Sequence, residues 1–116
     1  MPSTIRGSDN FDSAGGNAVK AWVNFNGTGT VAIRAAFNVS SITDNGTGDY
    51  TVNFTSALAD ANYAVQATGY QLSTGGAVCV AMAQGAVYTA SAVRVFTTNS
   101  SFTNTDMQNV CVNAFR

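Results

Sequence analysis

The chain reads as all-β, an antiparallel β-sandwich of jelly-roll-like kind with roughly seven to nine short strands. Three observations predict it. Apolar residues alternate with polar ones along most of the chain, glycine-rich reversals interrupt them at short intervals, and no long window carries the helical 3.6-residue period. The stretch Lys20 to Thr55 shows all three. Val19, Ala21, Val23 and Phe25 fall on one side of an extended strand, with Lys20, Trp22 and Asn24 on the other. NGTG at Asn26 to Gly29 reverses the chain, Gly27 and Gly29 being read as the residues that supply positive backbone angles. Val31, Ile33 and Ala35 resume an inward row; DNGTGD at Asp44 to Asp49 reverses the chain again; Tyr50, Val52 and Phe54 begin a third row.

Beyond this meander, Ser56 to Asn62 lacks alternation and reads as a loop or one short helical turn. Tyr63, Val65 and Ala67 alternate with Ala64, Gln66 and Thr68. Ser73 to Gly76 is a turn, and Ala77 to Ala83 (AVCVAMA) is apolar on both faces. A strand of that kind is buried on both sides, and its small face needs a cover that a two-layer domain lacks, which points to an oligomer. Gln84 to Gly85 reads as a turn. Val87 to Phe96 then supplies either a strand pair or one long strand, Thr97 to Asp106 is a polar loop, and Val110, Val112 and Ala114 close the domain. The only proline is Pro2, so nothing interrupts a central strand.

The organisation expected is a flexible or partner-bound arm over residues 1–18, followed by a single β-sandwich domain over residues 19–116. The arm is rich in Gly, Ser, Asp and Asn, with Ile5 and Phe11 as its bulky apolar residues. At 116 residues a core is possible without metal or disulfide staples. No apolar run approaches the ~20 residues of a membrane helix, and MPSTIRGSDNF has no apolar segment of the secretory kind. Cys79 and Cys111 sit in apolar strand patterns and are read as reduced thiols acting as small buried residues.

Charge excludes several classes of function. Charged residues make up 9% and the net charge is -1, so no basic footprint for nucleic acid or anionic lipid exists. With no His there is no Ser-His-Asp or Cys-His arrangement, and the acidic residues are all Asp, placed mostly in turns. Asp44 and Asp49 are positioned for hairpin chemistry rather than for acid–base work, and DNGTGD lacks the alternating carboxylates and closing Glu of a calcium loop. No enzyme, cofactor or metal is expected. The five N-x-[ST] sequons at Asn26, Asn38, Asn45, Asn53 and Asn99 follow from abundant Asn and Thr. Trp22 is read as packing. Arg34 and Arg94, which interrupt apolar faces, pair with an Asp or reach solvent at a subunit boundary.

KAWVNFNGTGTVAIR (Lys20 to Arg34), FNVSSITDNGTGDYTVNFT (Phe37 to Thr55), DANYAV (Asp60 to Val65) and the closing NAFR (Asn113 to Arg116) together resemble a domain of tailed bacteriophages. That domain lies near the C-termini of tail-fibre and other virion structural proteins, including those of cyanophages. The resemblance implies a β-rich knob, a homotrimer, and contact with host surface receptors. Long fibres carry the domain after an extended shaft, whereas here it begins close to Met1. The chain is then either a small standalone virion protein or an excised tip domain; a short tail-fibre or receptor-binding tip is expected, the alternative being a capsid decoration (cement) protein that binds other virion subunits. The partners expected are other virion proteins of baseplate, tail or capsid and a host saccharide or protein, without nucleic acid or membrane insertion. The location is the virion, after synthesis in the host cytoplasm. The family supplies no catalytic residues. Ile5 and Phe11 are the candidates for virion attachment. For receptor contact, the polar loops with nearby aromatics put forward Tyr70, Ser73, Asn99, Phe102 and Asn104.

Overall fold

Alternation along the chain becomes two sheets facing each other. The computed structural model describes residues 18–71 and 80–116, with the backbone alone described for 80–87. Among these are eight strands: β1 (Val19–Asn26), β2 (Ala32–Phe37), β3 (Val39–Gly46), β4 (Asp49–Phe54), β5 (Ala64–Tyr70), β6 (Val80–Tyr88), β7 (Ala92–Thr98) and β8 (Asn109–Phe115). They form two four-stranded antiparallel sheets, in the order β2-β1-β8-β5 and β3-β4-β7-β6. The protein is an all-β sandwich, and the described residues contain no helix.

The central strands carry the core. Ala21, Val23 and Phe25 of β1 and Val110, Val112 and Ala114 of β8 face Tyr50, Val52 and Phe54 of β4 and Val93 and Val95 of β7, all buried. Met107 and Tyr63, from the connections, plug the ends of this layer. Phe25 meets Tyr50 edge to face at 5.1 Å, and Phe54 meets Tyr63 likewise at 5.7 Å. The rows expected at β4, β5 and β8 are those observed, and that of β1 holds from Ala21 onward; Val19 lies beyond a register shift against β8 and is exposed.

Four local expectations change. Along β2, Asn24 pairs with Ala35 but Phe25 pairs with Ile33, so Arg34 is the extra residue of a bulge. Ala35 thereby shares the outer face with Asn24 instead of joining an inward row. The bulge sets Arg34 against Asn24 Oδ1 (3.3 Å) and the carbonyl of Gln108 (2.7 Å). Gln84 and Gly85 do not turn the chain; they lie within β6, where the register with β7 shifts between Ala83 and Tyr88. The reversal comes at 89–91, where the Thr89 hydroxyl accepts the N–H groups of Ser91 and Ala92. Cys111 is not a core residue, because Val110 and Val112 take the inward positions of β8. It lies half-buried on the outer face between Asn24 and Thr68, with no disulfide. Gly27 does not have a positive φ; among the described glycines that property belongs to Gly29, Gly46 and Gly48. The two-faced stretch Ala77 to Ala83, Cys79 and the turn Ser73 to Gly76 lie in whole or part outside the described residues, and β6 is an edge strand of its sheet.

The chain changes sheets between β2 and β3 at Asn38, a non-glycine residue with φ 56°. Its side chain explains the tolerance: Nδ2 donates to the carbonyls of Lys20 (3.0 Å) and Ser56 (3.1 Å), and Oδ1 accepts the Ser56 N–H at 2.8 Å. Asn is the side chain best suited to such a corner after Gly.

The outer faces differ. On the β3-β4-β7 face Asn53 bridges the hydroxyls of Ser41 and Thr43, and Asn45 reaches Thr51 at 2.8 Å. Arg94 closes this face with two hydrogen bonds to the Asp49 carboxylate. On the β2-β1 face Trp22 stands opposite Phe37, and both are open to solvent, at 37% and 53% exposure. Trp22 thus projects outward from its sheet.

Candidate functional site

The register sorts the connections to two ends. Ala18 pairs with Arg116 through two backbone hydrogen bonds, so the entry to β1 and the end of β8 share one end with Asn38 and the 89–91 turn. Tyr70, the 27–31 and 47–48 turns, and the 99–108 loop lie at the other, about 25 Å away along an eight-residue strand.

The 99–108 loop is the most elaborate feature of that distal end. Asn99 organises it: Oδ1 accepts the N–H groups of Ser101 (2.8 Å) and Thr103 (3.0 Å), while its backbone N–H reaches the Thr103 carbonyl at 2.9 Å. Phe102 N–H donates to the Asn99 carbonyl at 3.0 Å, which closes a β-turn over Asn99 to Phe102. Thr98 and Asn104 form a β-bridge at its base. Phe102 then sits in the left-handed region, φ 61°, with 76% of its surface exposed.

Below the turn the loop is anchored to both sheets. Thr97 Oγ1 donates to the Thr105 carbonyl at 2.6 Å, and Thr105 N–H donates to the Thr97 carbonyl at 2.9 Å. Asp106 Oδ1 accepts the Gly48 N–H (2.8 Å) and lies 2.9 Å from the Tyr50 hydroxyl. That hydroxyl is also 2.8 Å from the Gly27 carbonyl, and Gly27 N–H donates to the Met107 carbonyl at 2.8 Å. Three turns from different parts of the chain therefore meet on Tyr50. Burial, then the Asp106 carboxylate, pushes the Tyr50 phenol well above its ordinary range. Tyr63, at the opposite end, is pushed up to about 12 by burial, with its hydroxyl beside the carbonyls of Thr89 and Ala92.

Asn99, Phe102 and Asn104 are thus brought together in one loop, while Tyr70, 48% exposed, lies at the same end where β5 pairs with Asn109 of β8. The Asn99 side-chain oxygen is engaged within the loop. Ile5, Phe11 and Ser73 lie outside the described residues. The described aspartates have protein partners: Asp44 Oδ1 accepts the Gly46 N–H, and the Arg94 guanidinium holds the Asp49 carboxyl below its usual range. Asp60 is likewise lowered by its hydrogen bond from Arg116. Among the described residues no three His, Cys, Asp or Glu side chains converge as metal ligands. The Tyr50–Asp106–Gly27 junction escaped sequence reasoning because its members are far apart in the chain. The strained position of Phe102 left one legible sign, an Asn opening a turn three residues before it.

Compared with protein-family models, with curated proteins and with solved structures, the chain matches none at a significant level.

Proposed function

We propose that this protein is a non-enzymatic structural component of a tailed-phage virion, a short tail-fibre or receptor-binding tip that contacts the host surface. The observation that supports it is the separation of the two ends. The chain enters the sandwich at Ala18, beside Arg116, whereas Tyr70 and the Asn99–Asn104 loop cap the far end. A segment that attaches through residues 1–18, with Ile5 and Phe11 as anchors, leaves that far end free to meet a host saccharide or protein. The resemblance of the two β-hairpins to phage fibre-tip domains supplies the virion setting and the homotrimer. The Trp22–Phe37 face supports self-association, since paired exposed aromatics are a usual feature of subunit contacts.

Two manipulations test the reading. Removing residues 1–18 is expected to abolish incorporation into virions while leaving the sandwich folded. Antibody labelling in negative-stain images should mark the tail tip. Labelling spread over the capsid, together with fragile capsids and unchanged adsorption when the protein is absent, would replace this reading with the capsid-cement one.

A further inference from the structure

We infer that the outer face of β1 and β2 around Trp22 and Phe37 is the seat of the chain's own N-terminal arm, residues 1–17, with Phe11 over the two rings and Asp9 and Asp12 beside the cations that flank them. Lys20, Trp22 and Asn24 alternate along this face, and Phe37 stands opposite Trp22. The Arg34 guanidinium reaches Asn24 Oδ1, so it lies at the far end of the same row. Two exposed aromatic rings are thus bracketed by a cation on either side. The ion pairs among the described residues are Arg94–Asp49 and Arg116–Asp60, which leave Lys20 and Arg34 without a carboxylate there.

Charge, length and order along the chain select the arm as the occupant. Asp44, Asp49, Asp60 and Asp106 have partners within the sandwich, so the remaining side-chain carboxylates of the chain are Asp9 and Asp12. A second copy laid face to face would set Lys20 and Arg34 against the same two cations, a repulsive arrangement. The chain leaves the sandwich at Ala18, two residues before Lys20. Residues 1–17 can span up to about 55 Å, about twice the length of the eight-residue β1. Gly15-Gly16 suits a reversal just before Ala18. Outward from that reversal the arm presents Asp12, Phe11 and Asp9; outward from Ala18 the face presents Lys20, then Trp22 with Phe37, then Arg34 over Asn24. Asp9 and Asp12 are about 10 Å apart in extended chain and Lys20 and Asn24 about 13 Å, a difference that the long Lys and Arg side chains absorb. The tether at Ala18 keeps the arm at high local concentration, so a small contact suffices. The inference goes beyond the virion reading and constrains it in one respect: Phe11 anchors to a virion partner only after leaving this seat, while a second copy meets the face with the arm in place.

Trp22 is the sole tryptophan of the chain, so its fluorescence reports on the seat directly. Acrylamide quenching is measured on the full-length protein and on variants in the arm and at Lys20, positions outside the buried core. Phe11→Ala is expected to weaken seating by roughly tenfold or more. Trp22 then becomes easier to quench and its emission shifts to the red. Asp12→Lys should act the same way, and adding Lys20→Asp to it should restore protection. Co-expressed with a Trp22→Phe chain that keeps its arm, the Phe11→Ala chain should stay as quenchable as it is alone. Equal quenching of the wild type and Phe11→Ala overturns the inference, as does a double charge variant no better protected than Asp12→Lys. Protection recovered on co-expression also overturns it, in favour of the arm of a second copy. All three results leave the virion reading standing, since incorporation and labelling decide that.

Discussion

Gly27 and Gly29 share one turn, and replacing each by Ala separates two reasons for a glycine. At Gly27 an added Cβ would lie nearest the Tyr50 hydroxyl, 2.8 Å from Tyr50 Cζ and 2.9 Å from the Met107 carbonyl oxygen. The first two atoms belong to a fully buried ring wedged against Phe25, and the third to backbone that accepts the Gly27 N–H. None can retreat cheaply. Overpacking of this kind costs about 1–3 kcal/mol. The shift needed to relieve it breaks the Gly27–Met107 and Tyr50–Gly27 hydrogen bonds, at about 1 kcal/mol each. A loss of about 3–5 kcal/mol follows. At Gly29 nothing lies within 4 Å, so Ala pays only for φ 58°, about 1–2 kcal/mol. With an unfolding entropy of about 2.1 cal/mol/K per residue, 116 residues convert these losses into drops of at least about 12 °C and of about 4–8 °C. Scanning calorimetry at neutral pH measures both. Adding Tyr50→Phe to Gly27→Ala removes the nearest atom, so the double variant should lose about 1 kcal/mol less than the singles combined. Equal drops at the two glycines, or strict additivity with Tyr50→Phe, would refute the packing argument.

The alkaline limb of stability comes from Tyr50 and Tyr63. Both phenols are raised in the folded protein, so their contribution is complete below the unfolded phenol value near 10 and is lost as pH rises above it. Urea midpoints should hold steady to about pH 9 and fall from about pH 10 upward, less steeply in Tyr50→Phe. Asp49 acts in the opposite sense: held low by Arg94, it contributes stability above about pH 4 that is lost on acidification, and Arg94→Met should flatten that acid limb slightly. At the sheet-crossing corner, Asn38→Ala loses the left-handed preference and three side-chain hydrogen bonds, whereas Asn38→Gly loses only the bonds. Thermal melts should show the Ala variant about 1 kcal/mol worse than the Gly variant. Light scattering at micromolar concentration should find three chains per particle; a monomer would remove the trimer from the proposed function.

Period and turn chemistry made much of this protein legible from its residues alone. An alternating row announces a half-buried strand whatever it pairs with, which is why the rows of β4, β5, β8 and most of β1 could be read directly. The absence of a helical period settled the fold class on the same ground. Strand order is another matter. β1 lies between β2 and β8, and β7 between β4 and β6, pairings that depend on which rows close over which others. The bulge at Arg34 was invisible because an extra residue shows only against a partner strand. Gly27 looked like a turn glycine and proved to be a space-maker for Tyr50, a residue 23 positions away. The strain at Phe102 likewise exists only once Asn99 has folded the turn around it. Local backbone preference is written residue by residue, whereas close approach and exposure belong to the packed whole, and the candidate site is made of the latter.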